Sequence, residues 1–224
     1  MQEIYNEILK IIDSALKSQA ELAVGLKNDN SLVSSIDLKI EQDIIQFFQG
    51  QSRNLLVVAE ESYTGELAWD FSNEDQDFLI LDPIDGTENF IFLNEMFGVA
   101  VSWRLNRESG HLLYIPKSQI VITDKSSPFK PSFQSTIDLY STKCISECTI
   151  VKTDSARVFG SSTYMFSLVL SGKAKSYTYC QGAKIWDCYT GLALAKQLGL
   201  SFENVAEEYF AKPSFKQKFI LTWK

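Results

Sequence analysis

The feature that most constrains this chain is the segment 80–90, Ile-Leu-Asp-Pro-Ile-Asp-Gly-Thr-Glu-Asn-Phe, where acidic, glycine and hydroxyl residues follow an apolar run. Residues 77–81 have the length and composition of a short buried strand. Pro83 lacks the N–H that a central strand requires, so we expect the strand to end at Asp82. Asp85-Gly86 is a turn dipeptide, and the residues after it can begin a short helix with free N–H groups.

Two interpretations of this segment are open. Asp-Pro and Asp-Gly occur in ordinary turns, so the segment taken alone fits a plain loop as well as a functional site. In the functional interpretation, Asp82 and Asp85 face a hard cation such as Mg²⁺, and the carbonyl of Ile84 joins them. A phosphate would then lie at the free N–H groups of the helix start.

Acidic residues at two other element ends favour the functional interpretation. Glu60-Glu61 follows the strand-like run 54–59, and Asp187 immediately precedes a helical pattern. Carboxylates at three such ends could converge on one or two Mg²⁺ ions.

These segments resemble, in their order and approximate spacing, those of the inositol monophosphatase superfamily. They are Ala59-Glu60-Glu61-Ser62, Asp82-Pro83-Ile84-Asp85-Gly86-Thr87 and Trp186-Asp187. The resemblance covers most of the chain. The superfamily includes inositol monophosphatases, 3'(2'),5'-bisphosphate nucleotidases and some fructose-1,6-bisphosphatases, all Mg²⁺-dependent and many inhibited by lithium.

The resemblance implies a Mg²⁺-dependent, lithium-sensitive phosphoric monoester hydrolase that holds two or three ions. Its implied metal ligands are Glu60, Asp82, Asp85, Asp187 and the Ile84 carbonyl. Its implied catalytic residues are Glu60, Thr87 and Asp37, of which the last two orient a metal-activated water for direct attack on phosphorus. Its implied substrate contacts are Asp85, Gly86, Thr87, Ser161, Ser162, Cys180 and Asp187.

Several of these residues also have ordinary structural interpretations. Asp37 stands three residues after Ser34, which is the spacing of a helix capping box. Ser161 or Ser162 is a normal N-cap for the apolar helical pattern that follows. Lys27 matches a loop lysine of some relatives, but an exposed lysine is usually only solvated.

Bulk properties limit the functions open to the chain. It has 224 residues with 45% hydrophobic content, enough for one large domain or two closely joined halves. The formal net charge is −7 and no basic block is present, so we expect no nucleic-acid polymer as partner. With no long apolar run, we expect a cytoplasmic protein without membrane insertion that binds a small phosphorylated substrate. Both a monomer and a homodimer are compatible with the sequence.

Cysteine and histidine usage narrows the chemistry further. The four cysteines, Cys144, Cys148, Cys180 and Cys188, are expected to be reduced, although Cys144 and Cys148 could lie near each other. His111 is the only histidine, which argues against a His-rich zinc site. No nucleophile motif accompanies it, so carboxylate and Mg²⁺ chemistry remains.

The order of predicted helices and strands along the chain indicates an α+β fold. We expect a helix in residues 4–26, a second from Ser34 to about Gly50, and a largely antiparallel first sheet containing strands at 97–103, 111–115 and 119–123. The loop 124–135 predicts a boundary between a half at 1–124 and a half at 125–224. We further expect edge strands at 136–140 and 149–152, a strand at 174–179, a helix at 187–198 and a closing strand at 218–222. The resemblance implies a layered αβαβα sandwich of helices and two sheets.

Two departures from the family bear on the substrate. Cys188-Tyr189-Thr190 stand where relatives have small residues, and Cys180 stands where many inositol phosphatases have a substrate-contacting glutamate. Residues 90–97 have a spacing closer to that of the bisphosphate nucleotidases. The lost carboxylate argues against simple inositol recognition, and a neutral Cys180 thiol at the substrate mouth would favour a doubly anionic substrate. A small buried cysteine at a strand end is the structural interpretation of Cys180 that stays open. Our first expectation is an inositol monophosphatase-like enzyme, and a 3'(2'),5'-bisphosphate nucleotidase is the alternative. A catalytically weak metal-binding relative is a third hypothesis.

Overall fold

The computed structural model describes residues 1–18, 22–27, 29–64, 70–126, 135–146, 155–213 and 216–223. Its α-helices are α1 (Gln2–Lys17), α2 (Ser35–Gln49), α3 (Thr142–Ser146), α4 (Ser162–Leu170) and α5 (Ile185–Gln197). Its strands are β1 (Val24–Leu26), β2 (Leu32–Ser34), β3 (Leu56–Ala59), β4 (Phe78–Asp85), β5 (Gly98–Leu105), β6 (Glu108–Ile115), β7 (Ile120–Thr123), β8 (Asp138–Tyr140), β9 (Ala156–Arg157), β10 (Ser176–Lys184), β11 (Ser201–Glu203) and β12 (Lys216–Thr222). A π-helical turn occupies Asn89–Leu93, and 3-10 helices occupy Pro116–Ser118 and Glu207–Phe210.

The first sheet has the strand order β3-β4-β5-β6-β7, with β3 parallel to β4 and the other neighbours antiparallel. Its two faces follow the alternation of side chains along a strand. Leu79 and Leu81 of β4 pack in one apolar cluster with α1 and α2. Phe78 and Ile80 pack in a second cluster with α4 and α5. The predicted, largely antiparallel first sheet is confirmed.

The second sheet has the order β11-β12-β10-β8-β9. Helices α4 and α5 contact both this sheet and the first sheet, and α3 contacts β8 and β10. Cys144 of α3 packs with Tyr140 and Cys180 in a small cluster of its own, separate from the α4 and α5 core. The layers therefore run from α1 and α2 through the first sheet, α4 and α5, and the second sheet to α3. The predicted αβαβα sandwich is confirmed.

Some element boundaries differ from the prediction. The first helix ends at Lys17 rather than near residue 26, because the chain leaves the helix at Ser18 and residues 24–26 pair with β2 as a hairpin. The strand-like segment 136–140 was expected at a sheet edge, but β8 lies between β10 and β9. The expected strand at 149–152 lies outside the described residues.

The strand of the central motif continues further than Pro83 suggested. β4 runs to Asp85, and its pairing with β5 is irregular between Asp82 and Asp85. Its pairing with β3 ends at the Ala59–Leu81 pair. Pro83 is tolerated because it lies where the regular ladders on both sides of β4 have stopped, so its missing N–H removes no regular ladder hydrogen bond.

The two sheets follow each other in sequence. Strands of the first sheet end at Thr123, and strands of the second begin at Asp138. Helices α4 and α5, which follow this point, nevertheless pack against the first sheet, so the two parts share a core. The division into halves at residues 124 and 125 stays a prediction. In the described part of the chain, no helix is long and apolar enough to cross a membrane.

Candidate active site

The acidic residues singled out in the sequence stand at the ends of neighbouring elements. Glu60 follows β3, where its N–H donates to Leu81 O at 3.2 Å. Asp82 and Asp85 lie in the last part of β4, and Asp187 lies in the first turn of α5. Because β3 and β4 are parallel neighbours, Glu60 lies beside the end of β4 that carries the two aspartates.

Asp82 is the most deeply buried of these acids, with 1% of its surface exposed. Its Oδ1 has no hydrogen-bond partner among the described residues. Burial raises the pKa of Asp82 well above its ordinary value, and the nearby charges of Glu60, Asp85 and Asp187 raise it further. A buried, unpartnered carboxylate oxygen among other carboxylates is costly unless a proton or a cation neutralises the group.

Asp85 is held by the start of α4. Its Oδ2 accepts hydrogen bonds from Ser161 Oγ at 3.0 Å and from the backbone N–H of Thr163. Burial raises the pKa of Asp85 to about 6, although the hydrogen bonds from Thr163 and Ser161 oppose this shift. The contact joins the central motif to a helix that lies some eighty residues further along the chain.

Asp187 is oriented by the helix that it begins. Its Oδ2 accepts the backbone N–H of Lys184 at 3.0 Å, which fixes the carboxylate against the first turn of α5. Burial raises the pKa of Asp187 well above its ordinary value, and the charges of Asp85 and Glu60 add to this effect.

These carboxylates suit a hard divalent cation. All of the candidate donors are oxygens, the ligands that Mg²⁺ prefers. Among the described residues, no three His, Cys, Asp or Glu side chains are already converged on one position that would hold an ion. Repulsion between carboxylates without a cation opposes such convergence. The unpartnered Asp82 Oδ1 and the mutually raised pKa values show that the residues present fit a cation.

Glu60 has a different partner in this structure. Lys27 Nζ lies 2.8 Å from Glu60 Oε1 and 2.7 Å from Glu61 Oε1, and all three side chains are largely shielded from solvent. The charges of Glu60 and Glu61 raise the pKa of Lys27 despite the opposing effect of its burial. Lys27 is therefore part of the site, and its interpretation as a merely solvated residue was wrong.

Asp37 combines both of its expected contacts. Its Oδ2 accepts the Ser34 backbone N–H at 3.0 Å as half of a capping box, which confirms the predicted helix start. Its Oδ1 accepts the hydroxyl of Thr87 at 3.1 Å. Thr87 Oγ1 also lies 3.1 Å from the Ile84 carbonyl oxygen. The expected pair is thus formed, and its catalytic role stays a prediction.

Gly86 is required by the geometry of the motif loop. Its φ of +90° lies in the region that side-chain-bearing residues avoid. A Cβ added there would lie 2.9 Å from the Cβ of Ser161. The motif loop and the start of α4 therefore approach each other closely only because residue 86 is glycine.

The two serines before α4 have distinct partners. Ser161 is the N-cap of the helix, accepting the Tyr164 N–H at 3.1 Å, and it also donates to Asp85. Ser162 is buried and accepts the hydroxyl of Tyr177 at 3.0 Å. The predicted N-cap is confirmed, and substrate contact by either serine stays a prediction.

Cys180 is not the free thiol that we expected. Its sulfur is bonded to Cys144, which joins β10 to α3. Along β10, Tyr177 and Tyr179 face the core with α4 and α5, whereas Cys180 packs with Tyr140 in the separate cluster near α3. A role for Cys180 as a neutral thiol contacting substrate is therefore wrong.

The remaining cysteines differ in what the structure shows of them. Cys188 is free and buried, as expected for a reduced thiol, and Cys148 lies outside the described residues. The bonded cysteines are separated by 36 residues, so their spacing carries no local signal that could have predicted the bond. Disulfides are uncommon in reducing compartments, and the cytoplasmic location stays a prediction.

Sequence reasoning also missed Glu41. This buried carboxylate of α2 accepts the backbone N–H of Glu61 at 2.8 Å and so holds the segment that carries Glu60. It stands four residues after Asp37, on the same side of the helix. A buried acid at that spacing from Asp37, within an apolar stripe, was the signal that could have identified it.

The unusual residues after Asp187 are each accommodated by a partner. Cys188 Sγ lies 3.1 Å from the Tyr209 hydroxyl, and the Tyr189 hydroxyl donates to Phe210 O at 3.1 Å. Thr190 Oγ1 lies 2.8 Å from Ser102 Oγ. The departure from small residues is therefore matched by contacts elsewhere in the chain.

Comparison with known sequences finds similarity to phosphatases, which agrees with the carboxylate-rich site. A model of the inositol monophosphatase family matches residues 2–109. The chain is 23% identical over 238 aligned positions to the 3'(2'),5'-bisphosphate nucleotidase CysQ of Salmonella typhimurium, covering 93% of this chain and 92% of that protein. It is 25% identical over 127 positions to CysQ of Haemophilus influenzae, covering 54% of this chain and 46% of that protein.

Solved structures with the same fold cover the whole chain. An IMPase/NADP phosphatase complexed with Mg²⁺ and phosphate has a TM-score of 0.78 at 17% identity, covering 100% of this chain and 90% of that one. A staphylococcal inositol monophosphatase-1 in a LiCl-soaked inhibitory complex has a TM-score of 0.77 at 17% identity, covering 100% and 89%. The chain is therefore similar to the inositol monophosphatase superfamily, in sequence over residues 2–109 and in fold over its whole length.

Proposed function

We propose that this chain is a Mg²⁺-dependent phosphomonoesterase that hydrolyses a small phosphorylated metabolite. The observation that carries the proposal is the buried Asp82, whose Oδ1 has no partner among the described residues and whose neighbours Glu60, Asp85 and Asp187 are all acidic. Such a group is favourable in its charged form when a bound cation neutralises it. The similarity to the inositol monophosphatase family and to CysQ supports a metal-dependent phosphatase.

The metal would be held by carboxylates from three elements and one backbone carbonyl. These donors are Glu60, Asp82, Asp85, Asp187 and the carbonyl oxygen of Ile84. Bound Mg²⁺ supplies Lewis-acid stabilisation of the phosphoryl oxygens and lowers the pKa of a water molecule at the site. The number of ions stays part of the proposal.

Thr87 and Asp37 would orient the attacking water. The Thr87 hydroxyl donates its proton toward Asp37 Oδ1 at 3.1 Å, which leaves the oxygen lone pairs of Thr87 able to accept from water. Asp37 is itself immobilised by Ser34 at the start of α2. A water held in this way is aligned before the substrate binds, and alignment of reactants lowers the barrier.

The motif loop and the start of α4 would bind the phosphate and its ester group. The backbone N–H groups of Gly86 and Thr87 stand where the chain turns into a helix, a position that favours anions. Ser161 lies beside Gly86 and is already fixed by Asp85 and Tyr164. These contacts would orient the scissile bond for direct attack by water. The proposed reaction forms no covalent intermediate with the protein.

The substrate class has two candidates. Inositol monophosphates are suggested by the family that matches and by the solved structures that share the fold. A 3'(2'),5'-bisphosphate nucleoside is favoured by similarity to CysQ along nearly the whole of both chains. Because Cys180 is bonded and faces α3, it no longer supports a choice between them.

The first prediction concerns metal-dependent turnover. We expect phosphate release from at least one of inositol 1-phosphate, 3'-phosphoadenosine 5'-phosphate and fructose 1,6-bisphosphate, and loss of that release with EDTA. Asp82→Asn removes a charged ligand at nearly constant shape, so turnover should fall by about a hundredfold or more at low Mg²⁺ with little loss of folding.

The matched control is Asp75→Asn, because Asp75 is an exposed acid paired with Arg107 and remote from the motif. It should keep full activity. EDTA-insensitive turnover, or an Asp82→Asn protein with normal turnover at low Mg²⁺, would contradict the proposal. Absence of turnover on a broad phosphate-ester panel, with Mg²⁺ binding retained, would favour the hypothesis of a catalytically weak relative. Lithium inhibition is an additional expectation, checked by rates with added LiCl.

A further inference from the structure

A buried polar chain crosses the core behind the carboxylate site. His111 Nδ1 lies 2.9 Å from Ser102 Oγ, and Ser102 Oγ lies 2.8 Å from Thr190 Oγ1. Ser102 and Thr190 are 0% exposed, and His111 is 8% exposed. His111 lies in β6, Ser102 in β5 and Thr190 in α5. None of these residues belongs to the proposed active site.

His111 is neutral in this environment. Burial lowers its pKa to about 4, so at neutral pH its ring has one donor and one acceptor nitrogen. Its backbone N–H donates to Asp124 Oδ1 at 3.3 Å, and the Tyr189 ring lies 6.3 Å away. A neutral imidazole and two hydroxyls can form a continuous chain of hydrogen bonds, each of which has a preferred direction and length.

The polar chain links the elements that carry two of the proposed ligands. Ser102 pairs directly with Ile80 of β4, two residues before Asp82. Thr190 stands three residues after Asp187, about one turn along α5. The hydrogen bond between Ser102 and Thr190 therefore spans the boundary between the sheet that carries Asp82 and the helix that carries Asp187.

Apart from bonds within its own first turn, the other side-chain hydrogen bonds described for the α5 residues after Asp187 go to Tyr209 and Phe210, which lie outside the first sheet. The core-facing side chains of α5 belong to a large apolar cluster that includes Leu192 and Leu194, and Gly191 lies against the ring of Phe166. Apolar burial stabilises a helix on a sheet but is non-directional, so small shifts along the sheet change little apolar area. A buried hydroxyl that loses its partner is costly, so the Thr190–Ser102 bond resists such shifts.

We propose that Ser102, His111 and Thr190 are positioning residues that fix α5 against the first sheet and so hold Asp187 beside Asp82 for metal binding. The inference rests on the proposed metal site. It gives a role to the only histidine of the chain and to a threonine that departs from the family pattern.

The test is Mg²⁺ affinity, measured by titration calorimetry on the folded, metal-free protein at neutral pH. Thr190→Val keeps the shape of the side chain but removes the hydroxyl, and it should weaken Mg²⁺ binding about five- to tenfold, the loss of roughly one buried hydrogen bond. Thr190→Ser restores the hydroxyl and should restore affinity. Ser102→Ala should weaken binding similarly, and the double variant should bind no more weakly than either single variant.

Val169→Ala is the matched control for stability. Val169 is fully buried in α4 within the same cluster, so its truncation lowers the melting temperature without touching the polar chain. Its Mg²⁺ affinity should stay unchanged. Wild-type affinity in Thr190→Val, or equal losses of affinity in Thr190→Val and Val169→Ala, would overturn the positioning role. If Thr190→Val fails to fold, the Mg²⁺ affinity of Ser102→Ala takes its place. Weakened binding by Ser102→Ala, with wild-type binding by Thr190→Ser, then supports the positioning role, and wild-type binding by Ser102→Ala overturns it.

The result also separates this inference from the function on which it rests. If the unsubstituted protein bound no Mg²⁺, the proposed function would fail and the positioning role with it. If the unsubstituted protein bound Mg²⁺ and released phosphate while all polar-chain variants kept their affinity, only the positioning role would fail.

Discussion

His111 illustrates at the residue scale how burial decides the behaviour of a titratable group. Its pKa falls from 6.5 to about 4 in the folded protein because the charged ring would lose its hydration. The unfolded chain therefore binds the proton first as pH decreases. The stability that depends on neutral His111 is complete above pH 6.5 and is lost progressively as pH falls toward 4, on the order of 3 kcal/mol in total.

The corresponding prediction compares the metal-free protein with His111→Asn. Asparagine offers an acceptor oxygen near the position of Nδ1 but does not titrate, so Ser102 keeps a partner. We expect the difference in unfolding free energy between the two proteins, from urea titrations at several pH values, to change steeply between pH 6.5 and 4. A constant difference across that range would show that His111 is not the group responsible.

At the scale of elements, the hairpin of β1 and β2 brings a cation to the proposed metal site. Lys27 follows β1, and its backbone N–H donates to Ser31 O at 2.8 Å across the hairpin turn. Its ammonium group pairs with Glu60 and Glu61 at positions where a metal ion would neutralise the same charge. If Glu60 is a metal ligand as proposed, the ammonium group and Mg²⁺ would compete for it.

This competition predicts the effect of Lys27→Met. The metal-free variant should melt at a lower temperature than the unsubstituted protein, because partly buried carboxylates lose their cation. Added Mg²⁺ should raise its melting temperature by more than it raises that of the unsubstituted protein. The control is Lys39→Met, whose lysine forms only an exposed pair with Asp43. Equal Mg²⁺-dependent shifts in all three proteins would contradict the competition.

The elements also show what could be predicted from sequence and why. The segment around Asp82 and the capping box of Asp37 are local patterns, so their strand and helix settings followed from neighbouring residues. The Thr190–Ser102 and Cys144–Cys180 contacts join residues far apart in the chain. Such pairings depend on strand register and helix placement, which no local spacing encodes. The roles of the acidic residues as metal ligands remain predictions.

At the scale of the whole molecule, the site and the disulfide lie on different sides of the second sheet. α4 and α5 pack between the two sheets, with Asp187 at the start of α5, whereas Cys144 joins α3 to β10 in a separate cluster. The bond closes a loop of 36 residues, which in the chain-entropy description corresponds to roughly 4 kcal/mol of stability. Its contribution should therefore be to global stability rather than to metal binding.

The last prediction follows from this separation. Cys180→Ser should lower the melting temperature of the metal-free protein by several degrees, because the unfolded chain loses its cross-link. Mg²⁺ affinity and turnover, measured well below the melting temperature, should stay close to those of the unsubstituted protein. Cys144→Ser removes the same bond from the other side and should give the same loss, and the double variant should lose no more. A large change in Mg²⁺ affinity or in substrate preference on Cys180→Ser alone would instead restore a functional role to this position.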